Sequence, residues 1–172
     1  MAHVRASTTG ETSRVNCHPF TYENWSFVHN GQIGDFKSCC RRIESLLPDH
    51  LYEMRRGNTD SELLFLLLIA NGLEQNPLES IKQTLATLQD LSPQRSEPDR
   101  LTCVFSDGAN LYAFRTSCDQ RSPSLYLSTK RNADATLLAS EPLDDDSSDW
   151  EVFPDNTLAI FTNTNQKLVS VH

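Results

Sequence analysis

Two short runs concentrate the side chains able to do chemistry: Asn16-Cys17-His18-Pro19-Phe20 and His29-Asn30-Gly31. Together they offer imidazoles, primary amides and a glycine N–H that no bulky side chain shields. Donors of that kind suit the oxyanion that develops during acyl transfer. Cys17 beside His18 suggests a thiol with an imidazole base. Neighbours on an extended strand point to opposite faces, however, so the ring cannot reach the sulfur. Zinc is a poor fit as well, because Cys17, His18, His29, Cys39 and Cys40 lack paired ligand spacing. Taken singly, each of these residues is most often structural.

The elements that must hold these runs follow from the pattern around them. Met1 to Gly10 reads as a short strand ending in hydroxyls and a glycine, with Arg5 either a surface arginine or a fork for a carboxylate. Trp25, Phe27 and His29 alternate with Asn24, Ser26 and Val28, which predicts a strand that stops at an Asn30-Gly31 turn. Asp35 is placed to cap a helix carrying Phe36, Cys40, Ile43 and Leu47 on one side. Thr59 with Glu62 forms the capping-box signature of the next helix, in which Leu63 to Ile69 is apolar all round and therefore buried on several sides. Asp60 there is, in the plain reading, a residue that favours the positive helix end.

Asn76 and Pro77 start a further helix with Leu78, Ile81, Leu85 and Leu88 on one face, and Ser92 to Asp99 reads as a linker. Five short β-type runs follow: Leu101 to Phe105, Leu111 to Arg115, Leu125 to Ser128, Thr136 to Ala139 and Leu158 to Phe161. Ser106-Asp107-Gly108 and Asn163-Thr164-Asn165 supply turns. The acidic run Asp144 to Asp149 lacks the turn glycine and spaced glutamate of a calcium loop and reads as solvated. Strands, adjacent helices and more strands indicate an α+β layered domain.

The 172 residues fit one domain, 1–172, long enough to bury a real core. A net charge of −8 argues against nucleic acid as a partner. The longest apolar run, Leu63 to Ala70, is too short to cross a bilayer, and no signal peptide follows Met1. Five cysteines without framework spacing indicate reduced thiols in a cytoplasm. No metal or cofactor is called for.

Taken in order, His3-Val4-Arg5-Ala6-Ser7-Thr8, Asn16-Cys17-His18-Pro19-Phe20, His29-Asn30-Gly31 and Thr59-Asp60-Ser61-Glu62 resemble the glutaminase domain of class II glutamine amidotransferases, which are N-terminal-nucleophile hydrolases. Ser106-Asp107-Gly108, Leu111-Tyr112-Ala113 and Ala139 to Leu143, followed by Trp150, resemble the small stand-alone members, among them ergothioneine-pathway and glutathione-degrading amidohydrolases. The resemblance covers nearly the whole chain. It implies an αββα sandwich and hydrolysis of a γ-glutamyl amide through a cysteine thioester. Asn30 and the Gly31 N–H match the oxyanion hole. Arg5, with Thr8 nearby, matches the clamp on the substrate α-carboxylate, Asp60 the acceptor of its α-ammonium, and His18 a histidine that lines the site.

One element of the pattern is missing. The family's nucleophile is a first-residue cysteine whose own α-amine takes the thiol proton, and this chain opens Met1-Ala2-His3. The first core strands are missing too, so the chain reads as the C-terminal portion of the domain, cut or begun at an internal methionine. Cys17 is internal and cannot substitute. The expectation is a substrate cradle without its attacking group, inactive alone. The alternative is a non-catalytic subunit that binds a γ-glutamyl ligand, self-associates, or pairs with a chain supplying the missing strands.

Overall fold

The computed structural model describes residues 1–3, 13–91, 96–128, 136–144, 146–162 and 165–171. Alternation along the central strands sets the architecture. Trp25 and Phe27 on one strand, Leu101, Cys103 and Phe105 on another, and Tyr112 and Phe114 on a third all enter one core with the helices. The intervening Val104, Leu111 and Ala113 enter a second core that contains no helix residue. Successive strand residues point to opposite faces, so a sheet read this way is buried on both sides.

The elements are β1 (Phe20–Tyr22), β2 (Trp25–Gln32), α1 (Phe36–Glu44), α2 (Asp49–Tyr52), α3 (Asp60–Ala70), α4 (Pro77–Leu91), β3 (Arg100–Ser106), β4 (Leu111–Ser117), β5 (Tyr126–Ser128), β6 (Leu137–Ala139), β7 (Glu151–Val152), β8 (Thr157–Phe161) and β9 (Gln166–Ser170). A six-stranded sheet runs β1-β2-β3-β4-β8-β9, and a three-stranded sheet runs β6-β5-β7. Every pairing between described strands is antiparallel, from β1–β2 through β8–β9. Helices, large sheet and small sheet form three layers of the expected sandwich, with α3 buried from Ser61 to Ile69.

Four local expectations need correction. Asn30-Gly31 is no turn: β2 continues through both, pairing Asn30 with Thr102 and Gly31 with Leu101. The glycine is required there because its φ is +139° and a Cβ would lie 1.8 Å from the Arg100 carbonyl oxygen. Asp35 precedes α1 in the left-handed region, φ 51°, but its side chain makes no cap. The carboxylate instead accepts from the Ser96 N–H at 2.7 Å and the Ser96 hydroxyl at 2.5 Å.

Residues 96–99, the described end of the expected linker, are therefore tied to the fold; Asp99, 5 % exposed, also accepts the Gly34 N–H at 2.8 Å. The fourth correction concerns the capping box. Thr59 Oγ1 accepts the Glu62 N–H at 3.1 Å as expected. Glu62 reaches past the cap, to the Arg56 and Gly57 N–H groups at 2.9 and 2.8 Å.

Candidate active site

Asp60 owes its position to the cap before it. Thr59 closes the first turn of α3, which leaves the next carboxylate at the positive end of a buried helix. Asp60 Oδ1 accepts the Ser61 N–H at 2.8 Å and Oδ2 accepts the Ile33 N–H at 3.0 Å. A carboxylate has about four lone-pair positions, so two fixed bonds orient it and still leave capacity for a ligand cation. The same helix end is braced from the other side by a reciprocal amide pair. Asn16 Nδ2 donates to Asn58 Oδ1 at 2.9 Å, and the Asn58 N–H donates to Asn16 Oδ1 at 3.1 Å. Gly57 makes room for this brace, since a Cβ there would sit 2.3 Å from Asn16 Oδ1.

The edge of β2 lies against that helix end. Asn30 and Val28 share the face opposite Phe27 and His29, opposite Thr102 and Val104 of β3. A cavity of about 1350 Å³ opens there, lined by Asn30, Gly31, His18, His3 and Asp60, and across from them by Ser124, Leu125 and residues 137–140. It exceeds the several hundred Å³ of ordinary ligand sites. His18 packs against a tilted His3 ring (centroids 4.1 Å apart) and edge-on to Phe20 (4.7 Å).

His29, on the helix side of β2, is 2 % exposed and its Nδ1 lies 3.0 Å from Ser61 Oγ. Burial pushes its pKa below the ordinary histidine value, partly opposed by the Asp60 charge and the Arg100 carbonyl, so the ring is neutral. Burial likewise pushes the Cys103 thiol up, with the Asp60 charge adding to it, which makes that thiol inert.

Of the six residues singled out by sequence, Asn30, Gly31, His18 and Asp60 meet in this cavity. Arg5 and Thr8 lie outside the described residues. Cys17 is exposed, its sulfur 3.6 Å from the Ser13 carbonyl oxygen, and it does not line the cavity. Its backbone is extended, as the argument against a Cys17–His18 pair requires. Among the described residues no cluster of three metal-ligating side chains occurs. Sequence reasoning missed Ser61, Thr102 and Ser124. Ser61 alone carried a signal, as the residue following a carboxylate at a capped helix start.

Against known proteins, the family described as class II glutamine amidotransferases matches residues 1–127. The chain belongs to the class II glutamine amidotransferase family. Within it, the chain is 30% identical over 196 residues to the probable glutamine amidotransferase DUG3 of Saccharomyces cerevisiae, covering 91% of this chain and 55% of the relative. It is 29% identical to the gamma-glutamyl-hercynylcysteine sulfoxide hydrolase of Mycobacterium tuberculosis, covering 99% of this chain and 62% of that one.

The solved structure of a glutamine aminotransferase class-II domain protein from Silicibacter pomeroyi superposes with a TM-score of 0.84 at 35% identity, over 92% of this chain and 72% of the other. The glutamine phosphoribosylpyrophosphate amidotransferase of B. subtilis shares the fold, with a TM-score of 0.70 at 16% identity over 99% of this chain and 34% of its own. The chain thus spans between half and two thirds of the length of the curated relatives just named.

Proposed function

We propose that this domain binds a γ-glutamyl amide, glutamine or a larger γ-glutamyl compound, and holds its amide carbonyl against Asn30 and Gly31. The observation that carries the reading is the convergence of a donor pair on β2 and a fixed carboxylate on α3 in one cavity. In this assignment the Asn30 side-chain amide and the Gly31 N–H stabilise the oxyanion formed when a nucleophile adds to the carbonyl. Asp60 receives the substrate ammonium and His18 lines the site. Arg5, with Thr8, takes the α-carboxylate.

A cysteine thiolate attacks in the complete reaction, ammonia or an amine leaves with a proton, and water releases glutamate from the thioester. A polypeptide of these 172 residues offers no first-residue cysteine. Cys40 does line the cavity, but it is mid-helix and has no free α-amine. Glutamate release by a form of this domain that carries a first-residue cysteine should be abolished in Asn30→Ala; unchanged release would contradict the oxyanion assignment.

A second reading makes the chain a non-catalytic binding or assembly subunit. The edge strands favour it: β7 and β9 expose Val152 and Leu168 at 64 % and 52 %. Sedimentation showing only monomer at high concentration would remove the self-associating form. All five thiols are free, which fits a reducing compartment such as a cytoplasm. Among the described residues no helix is long and apolar enough to cross a membrane.

Calorimetry with L-glutamine tests the central reading. Binding by the wild type, lost or weakened at least about tenfold in Asp60→Asn, is expected, since a charged hydrogen bond contributes about 1.5–3 kcal/mol. Equal binding by both would overturn it.

A further inference from the structure

His29 takes no part in the chemistry assigned above, yet it is a buried side chain that lies between both halves of the site. It precedes Asn30 and Gly31 on β2, and its Nε2 would lie 3.0 Å from a Cβ placed on Gly31. On its other side, Nδ1 is 3.0 Å from Ser61 Oγ, and Ser61 adjoins Asp60, whose Oδ2 returns to β2's extension through the Ile33 N–H at 3.0 Å. The path closes a loop: strand, imidazole, hydroxyl, carboxylate, strand.

We propose that His29, acting through Ser61, is the positioning residue that holds the Asn30–Gly31 donor pair in register with the Asp60 carboxylate. The inference rests on the γ-glutamyl reading of the site and names a residue that would set its geometry without touching the ligand.

The direction of the chain follows from where the His29 ring hydrogen sits. Nε2 is buried near the Arg100 carbonyl without a hydrogen-bond partner, so we assign the ring hydrogen to Nε2, where only an acceptor is close. Nδ1 then accepts, and the single Ser61 hydroxyl proton goes to it at 3.0 Å, in preference to Asp60 Oδ1 at 3.4 Å. Asp60 Oδ1 is thereby left with the Ser61 N–H as its close donor and keeps a lone pair for the ligand ammonium. Protonating the ring would turn Nδ1 into a donor and swing the Ser61 hydroxyl onto Asp60, removing that lone pair. The charged and titratable groups facing the ring are Asp60 on α3, His3 before β1 and, across β3, Cys103, which shares the Asp60 field.

The test compares wild type, His29→Leu, His29→Asn, Ser61→Ala, Asp60→Asn and the double variant His29→Leu/Asp60→Asn. Two readouts are taken: L-glutamine binding, and amide hydrogen exchange of the ligand-free protein. Loss of one hydrogen bond should weaken binding about tenfold in His29→Leu and Ser61→Ala. His29→Asn, whose carboxamide oxygen falls near the Nδ1 position, should restore most of it. The double variant should bind no more weakly than Asp60→Asn alone, because His29 acts through Asp60.

In the free protein, exchange at Gly31 and Ile33 should quicken in His29→Leu while Phe65 in the core stays protected. Additive losses, no rescue by asparagine, or a uniform rise in exchange would overturn the proposal. Should His29→Leu fail to fold, Ser61→Ala and His29→Asn carry the same comparison. Should the wild type bind no glutamine, the γ-glutamyl reading falls, and unchanged exchange at Gly31 and Ile33 would separately refute the lock.

Discussion

Gly31 occupies a position where a side chain has no room. Its φ of +139° and the 1.8 Å approach of the Arg100 carbonyl to any Cβ mean that Gly31→Ala must move β2 off β3. We expect a loss of at least about 2 kcal/mol, read from denaturant unfolding, since strained backbone alone costs about 1–3 kcal/mol. A variant as stable as wild type would show that the strand yields easily. By contrast Thr59→Ala, which removes one cap bond, should cost only about 1 kcal/mol. At this scale the sequence is explicit about identity and silent about geometry. His29-Asn30-Gly31 and Thr59-Asp60 are visible as residue types, but their convergence depends on the Ile33 N–H meeting Asp60 across 27 positions of chain.

Elements with strong periodicity were legible, and those without it were not. β3, β4 and β8 carry alternating apolar faces that serve two cores, and α3 is apolar on every side; each agrees with its sequence pattern to within a residue or two. β9 shows exposed positions nearly throughout, and β7 is two residues long, so neither has a buried face to betray it. The Asn30-Gly31 dipeptide misled for a physical reason, because Asn-Gly is favoured in hairpin turns and the long-range pairing with β3 overrides it.

Arg115 is the residue at this scale that no local pattern signals. Its guanidinium donates to the carbonyls of Pro123, Phe153 and Ser122 at 2.9, 2.9 and 3.1 Å, joining β4 to the loops that carry the small sheet. Arg115→Met should strand these acceptors and cost about 2–4 kcal/mol, measurable as a lower midpoint in urea. A change under about 0.5 kcal/mol would mean that water replaces the guanidinium freely.

For the molecule as a whole, the buried His29 gives a pH signature. Its folded-state pKa is lowered by burial, so the unfolded chain takes up the proton first as pH falls. Its contribution is fully present above the unfolded value of about 6.5 and is lost progressively as pH drops from there toward the lowered folded value. Thermal melting should therefore decline below about pH 6.5, and His29→Asn should flatten that limb. An unchanged acid limb in the variant would assign the titration to other groups.

Tyr112 acts at the opposite end. Burial and its hydrogen bond to Asp107 push its phenol up to about 12, so its contribution fades as pH rises from about 10 toward that value. The layered fold and the family were legible because the apolar alternation and the ordered motifs run along most of the chain. The cavity was not, since its far wall comes from Ser124, Leu125 and residues 137–140, distant in sequence and ordinary in type.

The most direct test of the site is an NMR titration of the isotopically labelled wild type with L-glutamine. Saturable shifts of the Asn30 side-chain amide and of the Gly31, Ile33 and Ser61 backbone amides are expected, absent in Asp60→Asn. Saturable shifts confined to other parts of the surface, or none up to the solubility of the ligand, would contradict the assignment of the site.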